Sequence, residues 1–172
     1  MNQSFDTQLQ VVKRALTDVV LPALDGAEKH VVEQLHLSLV VAEFMKARLP
    51  FARRYYRSEL EAYASLAGSI AELLSAQEAA RAEEMQGQVS KANKLLGDPE
   101  AEWEDYIVQT RGIRANISWL TENASGQDYE GELDNLILAS GVATSLQARI
   151  WCLPFGFEIS AEALPEANWL MR

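Results

Sequence analysis

The sequence predicts an all-α protein: a single-domain bundle of five to six helices over 1–172, closed by a short irregular tail at about 153–172. Three observations predict it. Apolar residues recur at three-four spacing through nearly every long segment, strand-like alternation is missing, and Pro, Gly and Asp-Gly signals punctuate the periodic stretches at short intervals. A chain of 172 residues that is 48% hydrophobic is long and apolar enough to bury one core.

Leu9, Val12, Leu16 and Val19 mark a first helix over 4–21, with Ser4 or Asp6 as its cap and Pro22 disfavouring continuation. Asp25-Gly26 reads as a turn. A second helix over about 27–48 carries Val32, Leu35, Leu39, Ala42, Met45 and Leu49, widened by Val31, Val40, Val41 and Phe44. So broad an apolar stripe predicts neighbours on several sides. Pro50 suits the first turn of a third helix, which continues through Leu60, Leu66, Ile70 and Leu74. Ala76 to Met85 is polar and surface-like, and either prolongs that helix or opens a fourth that runs through Leu96. Gly97-Asp98-Pro99 reads as a stop and restart, starting a helix over about 99–123 with acids in its first turn. The last helix covers about 129–152 until Leu153-Pro154. The aromatic tail beyond, with Trp169, Leu170 and Met171, requires burial on the bundle or on a partner.

A net charge of −10 argues against nucleic acid and anionic membranes. The lone Cys152 excludes an internal disulfide. At a helix C-terminus with no histidine near it in sequence, it reads as a small apolar residue rather than a nucleophile. With no signal peptide read at the N-terminus, the expectation is a cytoplasmic protein. No apolar run is read as approaching the roughly 18 residues that span a bilayer, so no membrane is expected. The chain has no P-loop, nucleophile elbow, dinucleotide-binding glycine pattern or zinc spacing, and no cofactor is expected.

Two constellations remain. Glu33-Gln34-Leu35-His36 puts a carboxylate and an imidazole on one helix face. That spacing resembles half of the ligand set in ferritin-like metal bundles. Glu43, seven residues past His36, lies roughly on the same side, but the second Glu-x-x-His is missing, and nothing in the spacing of Asp18 or Glu59 demands that they add oxygen ligands. A locally paired His36 is the competing reading, and His30 reads as solvated. The other constellation is the basic cluster Lys46, Arg48, Arg53, Arg54 and Arg57 around Pro50, with no acid between Glu43 and Glu59. A helix start offers unpaired N–H groups, and arginine forks grip carboxylate or phosphate, so Arg48, Arg53, Arg54, Arg57 and Tyr56 form a candidate site for an anionic small molecule. The competing reading has these arginines paired with acidic faces of neighbouring helices. Trp103, Trp119, Trp151 and Trp169 are read as packing residues, with a shared pocket as the alternative.

Leu133 to Trp151, with the helices before it, resembles the C-terminal helical bundle of acyl-CoA dehydrogenases. Leu21-Pro22-Ala23-Leu24 before a helix resembles small helical proteins encoded beside such enzymes. The resemblance implies an accessory helical module near acyl-CoA chemistry, and no functional residue transfers with it. The valine-rich face of the second helix, the aromatic tail and the lack of a complete catalytic set make the expected function a non-enzymatic module that self-associates or docks on a protein partner. The alternatives are a module holding a nucleotide- or CoA-like anion at Arg53–Arg57, or a ferritin-like metal bundle.

Overall fold

The computed structural model describes residues 4–166, and among them the fold is all-α, with no strand. The helices are α1 (Phe5–Arg14), α2 (Lys29–Arg48), α3 (Ala52–Leu74), α4 (Ala79–Leu96), α5 (Trp103–Asn123) and α6 (Glu130–Cys152). Trp169, Leu170 and Met171 lie outside the described residues. The chain divides into two compact units, one of residues 4–51 with Arg149–Glu166 and one of Ala52–Ala148.

In the first unit Ser4 caps α1 through the Thr7 amide, at 3.2 Å. The helix does not stop before Pro22. It passes through a π-helical turn at Ala15–Val20 and continues to Ala23. Proline has no N–H to donate and its ring crowds the preceding turn, so that turn widens: Leu21 N–H reaches back to the Leu16 carbonyl. Gly26 then reverses the chain with a φ of +81°, a region only glycine enters without strain. α2 returns antiparallel to α1. Lys13 pairs with Glu43, while Lys46 reaches Gln10 Oε1 at 3.0 Å and Asp6 at 3.6 Å. The tail closes on α2 through aromatic rings. Phe155 stacks on Phe44 at 4.3 Å between centroids, and Trp151 meets Phe44 edge-on at 5.9 Å. Leu35 is the only α2 residue that is buried, so the breadth of its apolar stripe is largely unused within this unit.

Pro50 does not open α3. Leu49–Phe51 forms a 3-10 turn, and the chain stays helical from α2 into α3. The tighter turn tolerates the proline ring where a regular α-turn would not.

The second unit holds the main core. Leu60, Ile70 and Leu74 of α3, Met85 of α4, Tyr106 and Ile113 of α5 and Leu133 of α6 are its largest fully buried side chains. Ala64, Ala67 and Ala71 bring neighbouring backbones close to α3. A four-residue turn after Leu74 separates α3 from α4, which resolves the continuity the sequence leaves open. The next helix starts at Trp103, later than the proline suggests. Asp98 instead caps a turn by accepting from the Glu100 amide at 2.9 Å, and Glu102 with Asp105 forms a capping box. Thr110 and Tyr106 bury hydroxyls that take no hydrogen bond among the described residues.

Tyr129 fastens the entry to α6. Its buried ring carries a hydroxyl that donates to Glu78 Oε1 at 2.6 Å, which, with burial, pushes its pKa up to about 12. The protonated form is favoured by folding, so this bond stabilises fully below the ordinary tyrosine pKa of 10.0 and is lost as pH rises toward about 12. Tyr129→Phe is expected to lower unfolding free energy by about 1–2 kcal/mol at neutral pH and to flatten the fall in stability between pH about 10 and about 12. Urea melts of both proteins across that range measure it.

Candidate functional site

The basic cluster is distributed over both units: Lys46 and Arg48 belong to the first, Arg53, Arg54, Tyr56 and Arg57 to the second. In the first unit Arg48 caps the C-terminus of α6. Nε donates to the Trp151 carbonyl and Nη2 to the Ile150 carbonyl, both at 2.8 Å, and the guanidinium lies 5.5 Å over the Trp151 ring. The last carbonyls of a helix have no intrahelical donor, and a cation there meets the negative end of the dipole. Arg149 forks onto Glu158 at 2.9 and 2.8 Å.

In the second unit the same chemistry recurs. Arg53 donates from Nε to the Ala101 carbonyl at 3.2 Å and from Nη2 to the Pro99 carbonyl at 2.9 Å. Arg57 donates to the Leu96 carbonyl at 3.2 Å and pairs with Glu61 one turn along its own helix, at 2.9 Å. These arginines therefore hold the end of α4 and the α4–α5 connection. The reading that competes with an anion site pairs these arginines with acidic faces of neighbouring helices; the acceptors of Arg48, Arg53 and Arg57 are mostly backbone carbonyls. The open helix start that motivated an anion site is also replaced by the 3-10 turn at Pro50. Arg54 is exposed, and Tyr56 packs on Tyr55 at 5.2 Å and on Trp103 at 5.5 Å. Burial, then the charge of Glu59, raises the Tyr56 pKa.

Glu33 and His36 are both exposed on α2, and Glu33 pairs with Lys29 at 3.3 Å. Among the described residues no group of three or more His, Cys, Asp or Glu side chains is placed to hold a metal. Asp18 is exposed in the first unit. Glu59 is half-buried on α3, its pKa raised by burial and drawn back by Arg114. Trp103 packs on Tyr56 and Trp119 lies under Arg81 at 3.9 Å in the second unit, and Trp151 is buried beside Phe44 in the first. Cys152 is exposed rather than packed.

What the sequence reading missed is the orientation of α6. Its bundle-facing positions run Leu133, Ile137, Ser140, Thr144, Gln147. Leu133 is buried, Ile137 packs on the core, Ser140 and Thr144 line a groove, and Gln147 reaches the Tyr55 carbonyl at 3.5 Å. Its outward positions carry Leu138 and Val142, which are 69% and 73% exposed. Across its middle the helix thus presents polar groups to its own unit and apolar groups outward. The segment Glu130–Phe155 is largely apolar, and little of its most apolar stretch is buried. By length and composition it passes the test for a membrane span, which corrects the reading that no run approaches one. The signal was present in the sequence as Leu138 and Val142 at i and i+4, opposite Ser140 and Thr144.

No protein-family model, curated protein or solved structure matches this chain.

Arg53→Ala is expected to destabilise the protein by about 1–2 kcal/mol, because two carbonyls lose a charged donor. Arg53→Lys is expected to restore only part, since an ammonium cannot bridge both acceptors as the guanidinium fork does. Denaturant midpoints measure the series. Unchanged stability in Arg53→Ala would instead leave the guanidinium available for an external anion.

Proposed function

We propose that this protein is an assembly module that self-associates through the outward face of α6. The observation that carries the reading is the exposure of Leu138 and Val142 on an otherwise apolar helix. Leaving such side chains in water forgoes about 25 cal/mol for each Å² of apolar surface, and contiguous exposed apolar faces mark interaction sites. A second copy fits this face on charge. No residue between Asp134 and Arg149 is charged, in a chain of net charge −10, so here two copies approach without the repulsion that the rest of the surface imposes. Ala139, Gly141, Ala143 and Ser145 flank the two large residues and permit close helix approach. Lipid is the less favoured occupant. Ser140, Thr144 and Gln147 interrupt the apolar circumference, and a helix alone in hydrocarbon is apolar all round.

Size-exclusion chromatography with light scattering tests the reading. The wild-type chain is expected to run as a dimer or larger, and Val142→Glu or Leu138→Glu to run as a folded monomer. A wild-type monomer at every accessible concentration overturns it. So does a monomer that sediments with phosphatidylcholine vesicles, which would assign the face to lipid.

A further inference from the structure

The inward side of α6 borders a half-open groove of about 210 Å³ against α3 and α5, with Arg114 and Ser118 exposed at its lip. Its walls are of two kinds. Leu66, Ile117 and Ile137 make an apolar side, and Arg114, Ser118 and Ser140 make a polar one. The groove exists because α6 turns small and polar here: Ser140, Gly141 and Thr144 succeed Leu133 and Ile137, and do not fill the space those larger side chains fill one turn earlier.

Arg114 differs from Arg53, Arg57 and Arg81 of the second unit. Arg53 and Arg57 are committed to carbonyls, and Arg81 pairs with Glu84 at 2.8 Å. The Arg114 guanidinium lies 5.6 Å over the Tyr63 ring and makes no hydrogen bond or ion pair among the described residues. Its charge is felt by Glu59, half-buried on α3, but the two do not form a salt bridge. The hydroxyls of Ser118 and Ser140 likewise have no hydrogen-bond partner among the described residues. One lip of a small apolar groove therefore holds a planar fork of donors, with its ring-stacked face fixed, and two hydroxyl donors.

We infer that this groove binds a small organic carboxylate, its charged end on Arg114, Ser118 and Ser140 and its apolar body over Leu66, Ile117 and Ile137. A planar guanidinium matches a carboxylate in shape and charge. One cation with Glu59 nearby suits a single negative charge better than the double charge of a phosphate. At about 30 Å³ for each non-hydrogen atom, the volume admits roughly seven, the size of a four- or five-carbon acid. This inference does not depend on self-association, because Val142 is on the outward side of α6 and Arg114 is on α5.

Butyrate is the probe, titrated into the full chain and followed by calorimetry or by amide shifts of α5 and α6. Butyramide serves as the neutral analogue and inorganic phosphate as the anion without an apolar body. Butyrate is expected to bind at millimolar concentration or below, with butyramide and phosphate each at least tenfold weaker. Arg114→Gln is expected to lose at least tenfold in affinity, and Ser140→Val to lose less. The monomeric Val142→Glu protein is expected to bind as wild type does, which separates failure here from failure of the assembly reading. No butyrate binding at tens of millimolar overturns the inference. So does equal binding of butyramide, which would mean simple filling of apolar space, or equal binding of phosphate, which would mean charge alone. Circular dichroism establishes that Arg114→Gln is folded. If it is not, the comparison of the three probes on the wild-type chain decides.

Discussion

An apolar helix surface has to leave water, and α6 cannot withdraw its own. Its bundle-facing stripe changes from Leu133 and Ile137 to Ser140, Thr144 and Gln147, while Leu138 and Val142 project outward. Rotating the helix by half a turn would bury the valine and leucine but would carry Leu133 out of the core, where it is fully buried. The register is set by that first turn and by Tyr129, whose hydroxyl is held on Glu78. The outward apolar face and the inward polar groove are thus two consequences of one packing decision at the N-terminal end of α6.

The arginines work on a second constraint, the unpaired carbonyls where helices end. Arg48 satisfies the end of α6, Arg57 the end of α4, and Arg53 the connection after it. Each is a cation at a negative helix terminus or beside it, in a chain with an excess of acids. Within a basic cluster that is dense in sequence, these three arginines each serve as a fastener for a helix end or the connection after it. Arg114, which has no such duty, lies outside the cluster and lines the groove.

The fold class was legible because three-four periodicity and turn residues agree along the chain. Boundaries moved where backbone chemistry had an alternative. The helix at Pro22 continues by widening into a π-turn, and Pro50 is absorbed by a 3-10 turn. Asp98-Pro99 is a turn cap rather than a helix cap, because Glu102 and Asp105 supply a reciprocal pair four residues later. The candidate site was less legible. Clustering of Arg48, Arg53 and Arg57 reveals charge but not the acceptors, since carbonyls at helix ends carry no sequence signature. The inversion of α6 was readable only by comparing opposite sides of one helix. Glu33 and His36 show the limit of motif spacing: they share a helix, but among the described residues no group of three or more His, Cys, Asp or Glu side chains forms around them.

The central claim is that a second copy covers the outward face of α6. Amide hydrogen exchange along α6, followed as a function of protein concentration, tests it at the residues concerned. The account predicts that exchange between Leu136 and Leu146 slows as concentration rises, while amides in the core of α3 stay unchanged. Exchange in α6 that is the same at every concentration would contradict it.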